Sequence, residues 1–210
     1  LHDTHGMMTR TFGFFSGGLQ VLNITNAAVP TRVGSYNTPG NAYDVFVSGD
    51  YAYMGDYANG GMLIVRITDL ALPTRIIAFG VGSGGTNGVV VSGNYAYAGD
   101  GAGGMHIINI ANVAAPTYTG SVEGGIGYAV AVSGSYAYLG IEDTSGSCKG
   151  LKVVDIANAA SPTIVGVFNT TGGVIDLTIS GNYVFMADRE AGLQIINISD
   201  KAHPILAPPS

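Results

Sequence analysis

Apolar and polar residues along the chain follow two short patterns, each of which recurs several times. In the first pattern an apolar run ends in Ser-Gly and an aromatic, alternating run follows, as in VSGDYAYMGD at 47–56 and VSGNYAYAGD at 91–100. Related segments are VSGSYAYLGI at 132–141 and ISGNYVFMAD at 179–188. Aromatic and β-branched residues suit a pleated, packed surface, and a two-residue break containing glycine is typical of a hairpin turn. The pattern predicts pairs of antiparallel strands.

The second pattern begins with glycine, continues with large apolar residues, and occurs five times. The copies are GLQVLNIT, GMLIVRIT, GMHIINIA, GLKVVDIA and GLQIINIS, whose starts lie 43, 43, 46 and 42 residues apart. Each copy is followed by Asn or Asp and then, at a constant distance, by proline. Strand-like segments that repeat with a period of about 42–46 residues indicate a β-propeller, in which each repeat forms one four-stranded blade.

We therefore predict an all-β fold, a single β-propeller domain over residues 1–210 with about five four-stranded blades. The blades are expected at about 1–39, 40–83, 84–124, 125–171 and 172–210. The segment 1–17 matches the repeat poorly, so the first blade is expected to be degenerate. Whether five blades close into a ring stays open: closure by packing alone, partners on the end blades, and a fragment of a larger repeat array all fit the pattern.

The segments GLKVVDIA and VSGNYAYAGD resemble the LVIVD repeat, which is found in bacterial and archaeal surface and secreted proteins. The resemblance implies a β-propeller over nearly the whole chain. It says little about activity, because propellers serve as scaffolds for unrelated functions. The acidic position of this repeat is Asp only at Asp155, while Asn23, Arg66, Asn109 and Asn197 replace it elsewhere. A function that needs this carboxylate in every blade is therefore not expected.

Composition and charge narrow the classes of function. The net charge of −6 argues against nucleic acid as a partner, since nucleic-acid-binding proteins present basic surfaces. No apolar run reaches the ~18 residues that a membrane-spanning helix needs. The sequence contains no GxSxG, HExxH or P-loop motif. Because the chain starts with Leu, is poor in Lys and is rich in Gly, Asn and Thr, we expect an extracellular or cell-surface protein with a processed N-terminus.

Three aspartates, Asp3, Asp44 and Asp176, stand at equivalent positions at the start of predicted inner strands. In a propeller the inner strands surround the central channel, so these carboxylates are expected at one channel mouth. Oxygen ligands from several strands suit a hard cation, and Ca²⁺ is the one cofactor that the pattern suggests. In the alternative interpretation each aspartate accepts a backbone N–H group where its strand begins.

One connection in the fourth repeat is longer than its equivalents. It reads IEDTSGSCKG at 141–150 and concentrates polar and charged side chains. Insertions in repeat proteins tend to lie on the binding face. We therefore predict a recognition site at Glu142, Asp143, Cys148 and Lys149, with a neutral surface insertion as the alternative.

Three functions fit these observations. The leading hypothesis is a non-enzymatic binding or scaffold module whose loops contact a protein or glycan partner at the cell surface. The second is a structural subunit of an extracellular assembly or filament, since a weakly charged surface favours self-association. The third is a hydrolase- or lyase-type enzyme with its site at the channel mouth, near Asp3, Asp44 and Asp176.

Overall fold

The computed structural model describes residues 5–12, 15–57, 61–81, 84–101, 103–142 and 149–208, and for residues 5–17 it describes the backbone alone. All regular structure in these segments is β-strand. Among these residues there is accordingly no helix with the length and apolar content needed to cross a bilayer.

The described strands form five antiparallel sheets, and each sheet uses strands that are consecutive in the chain. Blade 1 contains β1 (His5–Phe12), β2 (Phe15–Asn23) and β3 (Thr31–Asn37). Blade 2 contains β4 (Ala42–Ser48), β5 (Tyr51–Asp56), β6 (Gly61–Arg66) and β7 (Thr74–Phe79). Blade 3 contains β8 (Thr86–Ser92), β9 (Tyr95–Asp100), β10 (Gly104–Asn109) and β11 (Thr117–Val122). Blade 4 contains β12 (Ile126–Ser133), β13 (Tyr136–Glu142), β14 (Gly150–Asp155) and β15 (Thr163–Asn169). Blade 5 contains β16 (Val174–Ser180), β17 (Tyr183–Asp188), β18 (Gly192–Asn197) and β19 (Ile205–Leu206).

This arrangement confirms the predicted propeller. Blades 2 to 5 each have four strands in up-and-down order, and the first strands of successive blades pack against one another around a common axis. Blade 1 has three described strands, in agreement with the poor match of its sequence to the repeat. Its strand β1 lies against β4 of blade 2.

Glycine fixes the tight turn between the first two strands of each four-stranded blade. Gly49, Gly93, Gly134 and Gly181 have φ between +56° and +59°, and among the described residues only glycines have a positive φ. A positive φ at the first central residue and a negative φ at the second define a type II′ turn, whose twist matches that of the flanking strands. The repeated Ser-Gly therefore fixes the turn, and with it the strand register, in each of these four hairpins.

The hydrophobic core lies between the blades. Side chains alternate along each strand, so the third strand of a blade sends one set of apolar residues to each neighbour. In β6, Met62 and Ile64 face blade 3, whereas Leu63 and Val65 face blade 1, and all four side chains are fully buried. Four such clusters join the five blades in chain order. Burial on both faces explains why these strands are apolar at consecutive positions.

One face of the last blade differs from its equivalents. The second residue of the repeat's third strand is Leu151 in blade 4 and Leu193 in blade 5. Leu151 is 0% exposed, because blade 5 covers it, whereas Leu193 is 67% exposed. The same residue type at the same repeat position therefore occupies two different environments.

Leucine-to-alanine substitution at these two positions should show how much blade packing, as distinct from the strand preference of leucine, contributes to the free energy of unfolding. We expect Leu151→Ala to lower the free energy of unfolding by about 2–5 kcal/mol, since it leaves a cavity between blades 4 and 5. Leu193→Ala should change it by no more than about 0.5 kcal/mol in dilute solution. Urea denaturation followed by circular dichroism measures both, and equal losses would contradict the assignment of the core to the blade interfaces.

Candidate functional site

Each inner strand of blades 2 to 5 carries a β-bulge near its start. In β4, Ala42 pairs with Asp56 and Asp44 pairs with Gly55, so Tyr43 has no partner across the sheet. The same register shift leaves one residue unpaired in each of the other three inner strands: Asn87, Tyr128 and Ile175. A bulge bends the strand and changes the direction of the unpaired side chain.

The bulged residues line a pocket where the inner strands of four blades converge. The cavity has a volume of about 370 Å³, and its wall consists of Tyr43, Asp44, Asn87, Tyr128, Ala129, Val130, Ile175, Asp176 and Arg189. All four unpaired residues and three of the residues that follow them belong to this wall. The pocket therefore arises from one bulge that the repeat reproduces in every complete blade.

Asp44 links two blades as well as lining the pocket. Its Oδ1 accepts the N–H of Val45, 2.8 Å away, and its Oδ2 accepts the N–H of Val89 in blade 3, also at 2.8 Å. Burial raises the pKa of the Asp44 carboxyl. The two backbone hydrogen bonds oppose this rise, and the nearby charge of Asp176 adds to it.

Asp176 occupies the equivalent position in blade 5. Its Oδ1 accepts the N–H of Leu177 at 2.8 Å, as the Oδ1 of Asp44 accepts that of Val45. This is the backbone-capping role that the alternative sequence interpretation expects of these aspartates. The two carboxylates nevertheless share one pocket, as their equivalent repeat positions predict.

Arg189 provides the positive charge of the pocket wall. Its guanidinium lies 5.4 Å from the centre of the Tyr128 ring and 3.6 Å from the carboxylate of Glu142. Burial raises the pKa of the Tyr128 hydroxyl, and the charge of Glu142 adds to the rise. Glu142 ends β13, at the start of the long connection in blade 4, so this connection begins beside the pocket.

The other predicted site residues are placed as follows. Lys149 lies at the far end of the long connection, where its carbonyl accepts the N–H of Thr170 at 2.9 Å. Asp3, Asp143 and Cys148 lie outside the described residues. Among the described residues no three His, Cys, Asp or Glu side chains are grouped so as to hold a metal ion. The Ca²⁺ site, which needs Asp3, stays a prediction.

Sequence reasoning missed Tyr43, Asn87, Tyr128 and Arg189. The residue before the Asp44 position is Tyr, Asn, Tyr and Ile in blades 2 to 5. The positions on either side of it also vary between the blades, so the repeat alone does not single out these side chains. Arg189 follows β17 and reaches the pocket from outside the inner strands, and the repeat contains no sign of this contact.

A family model described as LVIVD repeat matches five consecutive segments: residues 13–38, 39–78, 83–123, 124–170 and 171–208. The chain belongs to the LVIVD repeat family. The matched segments cover most of the chain and confirm the resemblance seen in its repeats. A search of curated protein sequences finds no match.

Solved structures similar to this LVIVD-repeat chain include three bacterial proteins. A protein from Lactobacillus plantarum has a TM-score of 0.78 at 15% identity, over 99% of this chain and 68% of that one. The periplasmic gluconolactonase of Pseudomonas aeruginosa has a TM-score of 0.76 at 17% identity, over 94% and 65%. A putative 6-phosphogluconolactonase from Bacteroides uniformis has a TM-score of 0.71 at 16% identity, over 97% and 66%. These likenesses establish the fold, and the chain spans about two-thirds of the length of each neighbour.

Removing the charge of Asp176 is expected to lower the pKa of Asp44. Asp176→Asn removes a like charge from the shared pocket, so Asp44 should lose its proton at a lower pH. A ¹³C NMR titration of the side-chain carboxyls measures the change directly. Asp50→Asn, which removes one charge from an exposed turn, is the control and should leave the pKa of Asp44 unchanged. An unaltered Asp44 titration in Asp176→Asn would show that the two carboxylates do not interact.

The same variant should change how stability depends on pH. The folded pKa of Asp44 lies above the unfolded value of 3.8, so between these two values the folded state binds more protons than the unfolded state. The free energy of unfolding therefore falls as the pH rises through this window. In Asp176→Asn the folded pKa of Asp44 lies closer to the unfolded value, so the pH range over which stability falls is narrower. The decrease in the free energy of unfolding, measured by urea denaturation at stepwise pH, should therefore be smaller.

Proposed function

We propose that this chain is a non-enzymatic binding module that holds a neutral sugar residue of a glycan in the channel-mouth pocket. The observation that carries the proposal is the composition of the pocket wall, which combines two tyrosines, an asparagine, two carboxylates and an arginine. Aromatic rings pack against the apolar faces of sugar rings, while carboxylates accept and Arg donates hydrogen bonds to hydroxyl groups. The volume of about 370 Å³ falls within the ~300–1,000 Å³ usual for small-molecule sites.

The charge of the pocket favours a neutral ligand over an anionic one. Asp44 and Asp176 contribute negative charge, whereas Arg189, the one cation among the described residues of the wall, lies 3.6 Å from the Glu142 carboxylate. A phosphorylated or carboxylated sugar would place like charges together in a partly buried site, which is unfavourable. A neutral sugar meets acceptors, donors and aromatic faces without this repulsion.

The long connection of blade 4 would extend the contact beyond the pocket. Glu142 stands beside Arg189 at the pocket wall, so its carboxylate lies within reach of the part of a glycan that extends beyond the pocket. We propose an extracellular or cell-surface location for this module. The composition of the chain supports it, and so does the occurrence of the LVIVD repeat in bacterial and archaeal surface and secreted proteins.

Tyr43→Ala should weaken glycan binding by about tenfold, equivalent to about 1.4 kcal/mol, because it removes an aromatic face from the pocket. Tyr43 is 53% exposed, so its removal should not destabilise the fold. Tyr118→Ala is a matched control, because Tyr118 is 56% exposed and lies on β11, away from the pocket. Screening neutral and acidic oligosaccharides on an array, followed by calorimetry on the hits, provides the measurement.

The proposal would be contradicted by an array without neutral hits, or by equal loss of affinity in the two tyrosine variants. Binding of acidic sugars alone would overturn the electrostatic argument. In that case Arg189, and not the carboxylates, would dominate recognition.

A second candidate function is hydrolysis of a sugar lactone at the same pocket. It is favoured by two carboxylates in one cavity, on a fold shared with a protein named periplasmic gluconolactonase. A carboxylate with a raised pKa is a candidate general base for water. Glucono-δ-lactone hydrolysis above the spontaneous rate, lost in the Asp44→Asn, Asp176→Asn double variant, would support this activity. A rate equal to the buffer background would exclude this substrate.

A further inference from the structure

Tyr57 lies beside the channel-mouth pocket, next to a residue of its wall. The centre of its ring is 5.4 Å from that of Tyr43, which lines the pocket, and the two ring planes are nearly perpendicular, at 86°. Aromatic rings prefer this edge-to-face arrangement, because the positive edge of one ring meets the negative face of the other. The aromatic surface that begins in the pocket at Tyr43 therefore continues outside it at Tyr57.

The pairing of β4 with β5 places Tyr57 at the channel mouth. Tyr57 follows Asp56, the last residue of β5, and its N–H donates to the carbonyl of Asn41 at 2.9 Å. This hydrogen bond continues the antiparallel pairing of the two strands by one residue beyond the pair of Ala42 and Asp56. The end of β5 and the start of β4 lie at the same end of the blade, so Tyr57 and Tyr43 meet there.

The backbone of blade 3 supports the Tyr57 ring. A Cβ atom on Gly101 would lie 3.0 Å from Cε2 of Tyr57 and 2.5 Å from the carbonyl oxygen of Gly84, so a side chain at position 101 would collide with both. The ring is thus packed against glycine backbone, yet Tyr57 remains 42% exposed. A side chain that is already held loses little conformational freedom when a ligand packs on its open surface.

The phenol group of Tyr57 also lies near a second residue of the pocket wall. Burial is the main cause of the raised pKa of Tyr128, followed by the charge of Glu142, and the charge of Tyr57 adds a smaller contribution. Charges influence each other in this way only over short distances, because water screens them. Tyr57 therefore adjoins the pocket at both Tyr43 and Tyr128.

We propose that Tyr57 forms a second sugar-binding position beside the pocket, so that the ligand is a neutral oligosaccharide of at least two residues. The inference rests on the proposed function, in which the pocket holds one sugar residue against Tyr43. The adjoining sugar residue packs against the exposed part of the Tyr57 ring. The Tyr57 hydroxyl is both a donor and an acceptor, so it also suits the hydroxyl groups of that residue.

Calorimetry with sugars of two lengths tests this position. The probes are glucose, galactose and mannose, together with the neutral disaccharides built from each. Disaccharides of the preferred sugar should bind the wild-type protein about tenfold more tightly than the monosaccharide, which corresponds to about 1.4 kcal/mol. Tyr57→Ala should remove this gain and leave the affinity for the monosaccharide unchanged. Tyr57→Phe, which keeps the ring, should retain most of the gain.

Tyr183→Ala is the matched control. Tyr183 is 40% exposed, close to the 42% of Tyr57, and it begins β17, at the opposite end of that strand from the pocket residue Arg189. This variant should bind both sugars as the wild type does. Circular dichroism and thermal melting establish that each variant is folded.

NMR of the wild-type protein with isotope-labelled tyrosine rings provides a test without substitution. Nuclear Overhauser effects between sugar protons and the Tyr57 ring should occur with the disaccharide and not with the monosaccharide. Effects at the Tyr43 ring should occur with both.

The possible failures are distinguishable. Equal affinity of the wild type for the two sugar lengths would overturn the second position and leave the pocket proposal intact. An equal loss of affinity for both lengths in Tyr57→Ala would also overturn it, since Tyr57 would then act only by holding the Tyr43 ring. If no neutral sugar of either length binds, the proposed function itself is wrong, and the second position with it.

Discussion

Burial of both faces of each sheet against neighbouring sheets is the constraint on which this structure depends. A four-stranded sheet of this sequence has apolar side chains on both sides, so it cannot bury one face and expose the other to water. Leu63 and Val65 need blade 1, and Met62 and Ile64 need blade 3. Among the described side chains each core cluster lies between two blades, and the order of the blades around the axis follows from which faces must pack together.

The pocket forms where this packing brings the inner strands of the blades together. They converge because the blades pack side by side, and a shared register shift near the start of each strand turns one side chain out of the ladder. Asp44 strengthens this arrangement by accepting an N–H group from the next blade. Blade packing and pocket shape are therefore coupled, because a blade that moved relative to its neighbour would break this hydrogen bond and displace the pocket wall.

Much of the fold was predictable from the sequence because its determinants are local and repeated. The spacing of GL-type segments predicts the blades, Ser-Gly predicts the hairpins, and consecutive apolar residues predict two-sided burial. The equivalence of Asp44 and Asp176 predicts that both lie at one channel mouth. Tyr43 and Tyr128 were not predicted as pocket residues because their side-chain direction does not follow from strand alternation alone. It follows from the bulge, which is a property of the pairing between strands. The contact of Arg189 with Glu142 joins the turn after β17 to the end of β13 in a different blade, which no local pattern encodes.

The bulged position also bears on how such proteins diversify. The unpaired residue makes no ladder hydrogen bond and projects into the cavity, so Tyr, Asn and Ile are all tolerated. Each of blades 2 to 5 thus supplies one adjustable position in the pocket wall, and a new ligand preference can evolve by single exchanges around the channel. The same positions form a compact set for randomisation in a library of designed binders.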